Sequence, residues 1–91
     1  MKKKSIDVSE IMKTMGHPGR LLILCSLLDS KKSVTEIEEI CEMSQSQTSQ
    51  YLKKLESAGL IHSEKDGKYH YYSLKDERIR ELMAKLQKLY C

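Results

Sequence analysis

The chain has 91 residues, with 16 Lys and Arg against 13 Asp and Glu for a net charge of +3, five Tyr, and neither Trp nor Phe. A chain of this length makes one domain, residues 1–91, and buries only about two thirds of its unfolded surface, so stabilisation by a second copy is expected. No apolar run approaches the ~20 residues of a membrane span and no signal-peptide pattern opens the chain, which points away from membranes and toward the cytoplasm.

In a reducing compartment, the three cysteines (Cys25, Cys41 and Cys91) are expected as buried or reactive thiols rather than structural disulfides. The excess positive charge suits nucleic acid without proving it.

Val8, Ile11, Met12 and Met15 recur at helical spacing, with Ser5 or Asp7 as a cap. Gly16 ends this helix, and Pro18 suits the first turn of the next. Leu21 to Leu28 is almost wholly apolar and predicts a helix buried on most sides. Asp29-Ser30-Lys31-Lys32 reads as a polar turn, after which Thr35 or Ser33 caps a short helix carrying Ile37, Ile40 and Cys41. Cys41 falls on the inward stripe and reads as structural, because an apolar setting leaves a thiol unreactive.

Met43-Ser44 then forms a sharp turn into a helix that runs to about Ala58 and is stopped by Gly59. Leu60–Glu64 and Tyr69–Leu74 flank Asp66-Gly67, a strong two-residue hairpin signal with Lys65 and Lys68 at its tip. The last helix starts near Asp76 and carries Ile79, Leu82, Met83, Leu86, Leu89 and Tyr90, with Asp76 and Arg80 spaced as an ion pair. The order is α1-α2-α3-α4-β-β-α5: a mainly α fold with a β-hairpin wing, that is, a winged helix-turn-helix. Its first and last helices each keep an apolar stripe, and pairing with symmetry mates would bury both in a twofold homodimer. Two reading helices then meet half-sites of an inverted-repeat double-stranded DNA operator, roughly 34 Å apart.

The fourth helix opens with Ser44-Gln45-Ser46-Gln47-Thr48-Ser49-Gln50, seven uncharged hydrogen-bonding side chains in a row. Glu and Lys hold a solvated helix better than Ser or Thr, so this run gives up helix propensity for hydrogen-bonding capacity. Reading base edges and phosphates supplies a reason. Thr48, Leu52 and Leu55 face the core by spacing, with Tyr51 beside them. The candidate DNA contacts are Ser44, Gln45, Ser46, Ser49, Gln50 and Lys53, joined by Lys65, Lys68 and His70 of the wing. The competing reading is a winged helix that binds protein and carries a merely solvated helix. No Ser/His/Asp set, phosphate loop or paired carboxylate suggests catalysis, and no cofactor is expected. His17, His62 and His70 lie on three separate elements, which does not favour a metal site.

Gly16-His17-Pro18-Gly19-Arg20-Leu21-Leu22-Ile23-Leu24, Ser44-Gln45, Ser49-Gln50-Tyr51-Leu52, Leu55, Gly59-Leu60-Ile61 and Tyr71-Tyr72-Ser73-Leu74 together resemble the ArsR family of dimeric winged-helix repressors. The resemblance spans about Val8 to Cys91 and departs at Tyr51, where many members have His, and at Gln47, where a smaller residue is usual. It implies release of the operator when an inducer binds. Many ArsR-like proteins sense metals through paired cysteines at the start of the third helix, but the matching positions here are Ser33 and Thr35. A second family site uses Asp and His on the last helix, which has no His here.

Leu21-Leu22-Ile23-Leu24-Cys25 and Leu89-Tyr90-Cys91 further resemble the persulfide-sensing SqrR/BigR/HlyU branch. That resemblance implies that Cys25 and Cys91 react with reactive sulfur species as inducer, become bridged through sulfur, and so lift repression. Read from their surroundings alone, Cys25 is a small core residue and Cys91 a terminal thiol. A repressor answering peroxide, a metal or no input at all stands beside this reading.

Overall fold

The computed structural model describes residues 2–90, with side chains from Asp7 onward. Cys91, one of the two candidate sensing thiols, lies outside the described residues. The elements are α1 (Lys2–Met15), α2 (Pro18–Ser26), β1 (Lys32–Ser33), α3 (Val34–Cys41), α4 (Gln45–Ser57), β2 (Ile61–Asp66), β3 (Tyr69–Leu74) and α5 (Glu77–Tyr90). The expected winged helix-turn-helix order is present, with one addition. Lys32 and Ser33, read as the end of a polar turn, pair with Tyr72 and Tyr71 to make a three-stranded antiparallel sheet of order β1-β3-β2.

Local chemistry sets most of the helix ends. Ser33 starts α3 through a capping box: its hydroxyl accepts from the Glu36 amide (3.2 Å) while Glu36 accepts the Ser33 amide (2.9 Å). Ser33, not Thr35, is therefore the cap. Asp76 starts α5 by accepting the Ile79 amide at 3.1 Å, and that bond, with Arg78 beside it, holds its carboxyl below the usual value. The spaced pair Asp76–Arg80 does not form. Asp76 binds Arg78 at 3.1 Å, and Arg80 lies 3.9 Å from Glu77 while donating to the Leu28 carbonyl beyond α2. Helix α1 already begins at Lys2, so neither Ser5 nor Asp7 caps it.

The wing turn sits one residue further on than expected. Asp66 pairs with Tyr69 inside the ladder, so the two-residue loop is Gly67-Lys68, with Gly67 at φ +64° as such a turn requires. Ser63 Oγ donates to Glu56 of α4 (2.9 Å), tying the base of the wing to the fourth helix.

Ile23, Leu24, Leu27, Ile37, Leu52, Leu55, Leu60, Ile61 and Met83 are buried almost completely, and Met15, Cys41, Leu74 and Ile79 complete the core. Helix α2 is not buried on most sides: Leu21 and Leu22 remain 36% and 45% exposed. On α1, Val8 and Met12 face outward, as do Leu89 and Tyr90 at the end of α5. Ile40, expected on the apolar stripe of α3, is half exposed as well, so among the described residues the single chain keeps apolar side chains in solvent on four helices.

Between α3 and α4, Glu42 takes a left-handed conformation (φ 53°, ψ 50°) to end α3. A non-glycine residue there costs about 1–2 kcal/mol, and a carboxylate at a helix C-terminus adds a few tenths. Replacement by glycine relieves both but raises the entropy of the unfolded chain by an equivalent of about 0.5–1 kcal/mol. Glu42→Gly is expected to stabilise the fold by about 0.5–1 kcal/mol, a gain of a few degrees in melting temperature for a domain this size. Thermal melts followed by circular dichroism check the sign; a lower midpoint would contradict it.

Candidate nucleic-acid interface and thiol site

The polar run at the start of α4 divides into two groups. Ser44 Oγ accepts the Gln47 amide (3.1 Å), and Gln47 Oε1 accepts the Ser44 amide (3.3 Å), a second capping box. The Thr48 hydroxyl donates to the Ser44 carbonyl at 2.9 Å and is fully buried. Ser44, Gln47 and Thr48 therefore hold the helix start, which accounts for part of the run without invoking DNA. Ser44 becomes the weakest of the candidate contacts, because its hydroxyl is already engaged. Gln45, Ser46, Ser49, Gln50 and Lys53 stay exposed. Ser46, Gln50 and Lys53 lie about half a turn from the buried Thr48, Leu52 and Leu55, and Gln45 and Ser49 flank them. Gln presents a donor and an acceptor together, the pair an adenine edge demands, while Ser and Lys suit phosphates.

Tyr51 sits between this face and the scaffold. Its ring packs 5.0 Å from the ring of His17, whose Nδ1 accepts the Gly19 amide (3.1 Å) and caps α2. A side chain at Gly19 would have its Cβ 2.7 Å from Tyr51 Cε2. The His17-Pro18-Gly19 segment thus starts α2 and lets α4 lie close against it.

On the wing, Lys65, Lys68 and His70 are exposed, as expected, and Lys65 and His70 are cross-strand partners. His70 stacks on half-buried Tyr72 (5.2 Å), which holds its exposed ring along β3. Two residues the sequence did not single out join the surface. Tyr69 is 54% exposed next to the Lys68 ammonium (5.7 Å), and Lys31 binds Glu64 (3.1 Å) while lying 5.0 Å over the Tyr71 ring. The signal for both was the Tyr-rich strand beside lysines, which a search for charge alone passes over.

The described thiols occupy contrasting settings. Cys41 is buried at the end of α3, and burial pushes its thiol up, only partly offset by a hydrogen bond with Ser26. That agrees with a structural role. Cys25 is half-buried on α2 and borders two cavities. One, of about 160 Å³, is walled by Leu21, Met83, Leu86, Gln87 and Tyr90. The other, of about 490 Å³, is lined by Ser26, Leu28, Asp29, Lys32, Ile40 and Gln87. Tyr90 is the residue before Cys91. Among the described residues, no group of three or more His, Cys, Asp or Glu is placed to hold a metal ion, and no helix is long and apolar enough to cross a membrane.

A model of the bacterial regulatory proteins of the ArsR family matches residues 17–63, from the cap of α2 through the fourth helix into the wing. The chain is 42% identical over 86 residues to the HTH-type transcriptional regulator YgaV of Escherichia coli, an alignment covering 93% of this chain and 87% of that protein. The chain belongs to the ArsR family. It is also 36% identical along its whole length to the transcriptional activator HlyU of Vibrio cholerae, covering 84% of that protein. The reduced form of HlyU superposes with a TM-score of 0.94 over 100% of this chain and 96% of the other. The transcriptional repressor BigR of Xylella fastidiosa superposes with a TM-score of 0.90 at 30% identity, over 100% and 93% of the two chains. As in these relatives, the fold serves transcriptional regulation by binding DNA and not catalysis.

Because Gly19 admits the Tyr51 ring, Gly19→Ala is expected to destabilise the protein by about 1–3 kcal/mol, the usual cost of overpacking. Placing the same substitution in a Tyr51→Ala background should erase most of that increment. Denaturant titration of the four proteins checks the coupling, and additive losses would mean that the contact is not the cause.

Proposed function

We propose that the protein is a cytoplasmic, homodimeric repressor that leaves an inverted-repeat operator when Cys25 and Cys91 react with persulfide or polysulfide. The observation that carries the reading is the cavity shared by Cys25 and Tyr90, which brings the end of α5 against α2 beside the first thiol. Cys91 continues the chain from there. The matching sequence context around both cysteines supports the same pairing, and the BigR relative is a repressor.

The chemistry is ordinary thiol exchange. A Cys25 thiolate attacks the sulfane sulfur of a persulfide and takes it up as its own persulfide, releasing the donor as a thiolate. Cys91 thiolate attacking the Cys25 sulfur then closes a direct disulfide and releases hydrosulfide; if Cys91 has first taken a sulfur from a second persulfide, its terminal sulfur attacks the same atom, releasing hydrosulfide and closing a bridge with one added sulfur between α2 and the end of α5. A direct disulfide demands Cα atoms within about 7 Å, and an intervening sulfur relaxes that limit. Polysulfide is favoured over peroxide on that ground.

Dimerisation through α1 and α5 is supported by Val8, Met12, Leu89 and Tyr90, which the single chain leaves exposed, with Leu21 and Leu22 of α2 beside them. Exposed apolar surface of this kind marks protein contacts. In the dimer, Gln45, Ser46, Ser49, Gln50 and Lys53 enter the major groove, and Lys65, Lys68 and His70 meet the backbone.

Operator affinity, read by fluorescence anisotropy on reduced protein and again after polysulfide, peroxide or zinc, tests the proposal. Polysulfide alone should weaken binding by about 5–150-fold, the range of an ordinary allosteric coupling, with reversal by reductant. Cys25→Ser should bind as tightly as the reduced protein and fail to respond. Release of that variant by polysulfide would refute the dithiol switch. The reduced complex should also weaken steeply between 50 and 200 mM salt, by about 10³–10⁵ for 6–10 phosphate contacts.

A further inference from the structure

A polar recess lies away from Cys25, between α1 and α4. Two adjoining cavities, of about 280 and 420 Å³, share Glu10, Thr14 and Lys54. The smaller adds Lys13 and Arg20, so three cations face one carboxylate there. The larger adds Asp7, Ile11, Ser57 and Ala58. None of the three cations is spent on an ion pair: among the described residues those pairs use Lys31, Lys32, Arg78 and Arg80. Arg20 is anchored through Nη1, which donates to the Thr14 carbonyl at 3.3 Å, while its buried Nε has no hydrogen-bond partner. A guanidinium left in this state keeps its charge for an anion.

The recess continues the reading face of α4. Lys54 and Ser57 follow Gln50 and Lys53 by four residues, one turn further on along the same rows. A helix about 10–12 Å across nearly fills a major groove about 12 Å wide, so whatever flanks the helix meets the phosphates at the groove's edge. Val8 and Met12, the outward apolar residues of α1, point nearly half a turn away from Glu10 at about 100° per residue. A dimer closed through that stripe leaves the recess open.

We propose that this recess seats a backbone phosphate of the operator, held by Lys13, Arg20 and Lys54 beside the groove that α4 enters. The inference rests on the docking of α4 proposed above and adds a contact that carries no sequence preference. Glu10, on the wall of both cavities, opposes the bound anion and limits its hold. The seat fixes the register of the helix on the duplex, and base discrimination stays with the Gln and Ser side chains.

Fluorescence anisotropy of the full-length protein on operator and scrambled duplexes, over about 50–200 mM salt, tests the seat. Lys13→Gln/Lys54→Gln should weaken both duplexes equally, by about tenfold near 0.1 M salt, and lower the salt slope by about one. Glu10→Gln should tighten both severalfold. Lys75→Gln/Lys85→Gln, which removes the same charge from exposed positions at the base of the wing and on α5, should leave the slope unchanged.

An unchanged slope in the first pair, a loss confined to the operator, an equal loss in the control pair, or weaker binding by Glu10→Gln would overturn the inference. Gln50→Ala keeps it apart from the reading role of α4, since that change should reduce the preference for operator over scrambled duplex and leave the slope intact. Loss of slope in the first pair, with discrimination untouched by Gln50→Ala, would uphold the phosphate contact and remove the reading role; the converse would remove the seat alone.

Discussion

Helix α2 packs against each of the other four helices. Nine residues, Pro18–Ser26, therefore bear on the positions of α1, α5 and both helices of the helix-turn-helix. Its inward residues Ile23 and Leu24 are fully buried, and Gly19 at its start allows the Tyr51 ring of α4 to approach. A close-packed core of this kind does not deform smoothly. Movement of one element is transmitted as a shift of its neighbours or as a lost contact.

Cys25 lies on the last turn of this same helix, one residue before the Ser26 hydroxyl that donates to the Ile23 carbonyl at 2.6 Å. Beyond it, the Leu28 carbonyl receives the guanidinium of Arg80 from α5. The end of α2 and the body of α5 are thus joined by a charge-assisted hydrogen bond as well as by the apolar cavity wall. A change in how α5 seats against α2 bears on residues that also support α3 and α4. No separate relay is required, because the thiol-bearing helix and the helix that holds the reading head are the same one.

Much of this organisation is legible from residue patterns, and the misses have local causes. The helix-turn-helix follows from spacing, caps and glycines, and Thr48, Leu52 and Leu55 are inward as their periodicity requires. The third strand was invisible because two residues, Lys32 and Ser33, carry no alternating pattern; only their partners Tyr72 and Tyr71 make them a strand. The polar run on α4 is not uniform in role. Ser44 and Gln47 satisfy backbone amides at the helix start, and that requirement competes with base reading for the same residue types.

The exposure of Leu21 and Leu22 shows the reverse error, in which apolar composition was equated with burial inside one chain. In the candidate site, residue identities were legible, but the differing walls of the two cavities at Cys25 depend on side chains from α2, α3 and α5 that no spacing rule brings together.

The magnitudes suit the proposed switch at this place. An allosteric response of 5–150-fold needs about 1–3 kcal/mol, equivalent to the burial of roughly one to four methylene groups. Ile23 and Leu24 on α2, Leu27 at its C-cap and Met83 on α5 are each buried whole, so a small displacement of either helix puts that much apolar contact at stake. A surface thiol would lack this leverage. A thiol in the middle of the core, such as Cys41, would have the leverage but not the access, since burial both hides it and suppresses its thiolate. Cys25 stands between these limits, half-buried against the core and bordering open cavities. Access and leverage oppose each other across the fold, and the end of α2 is where the described structure satisfies both.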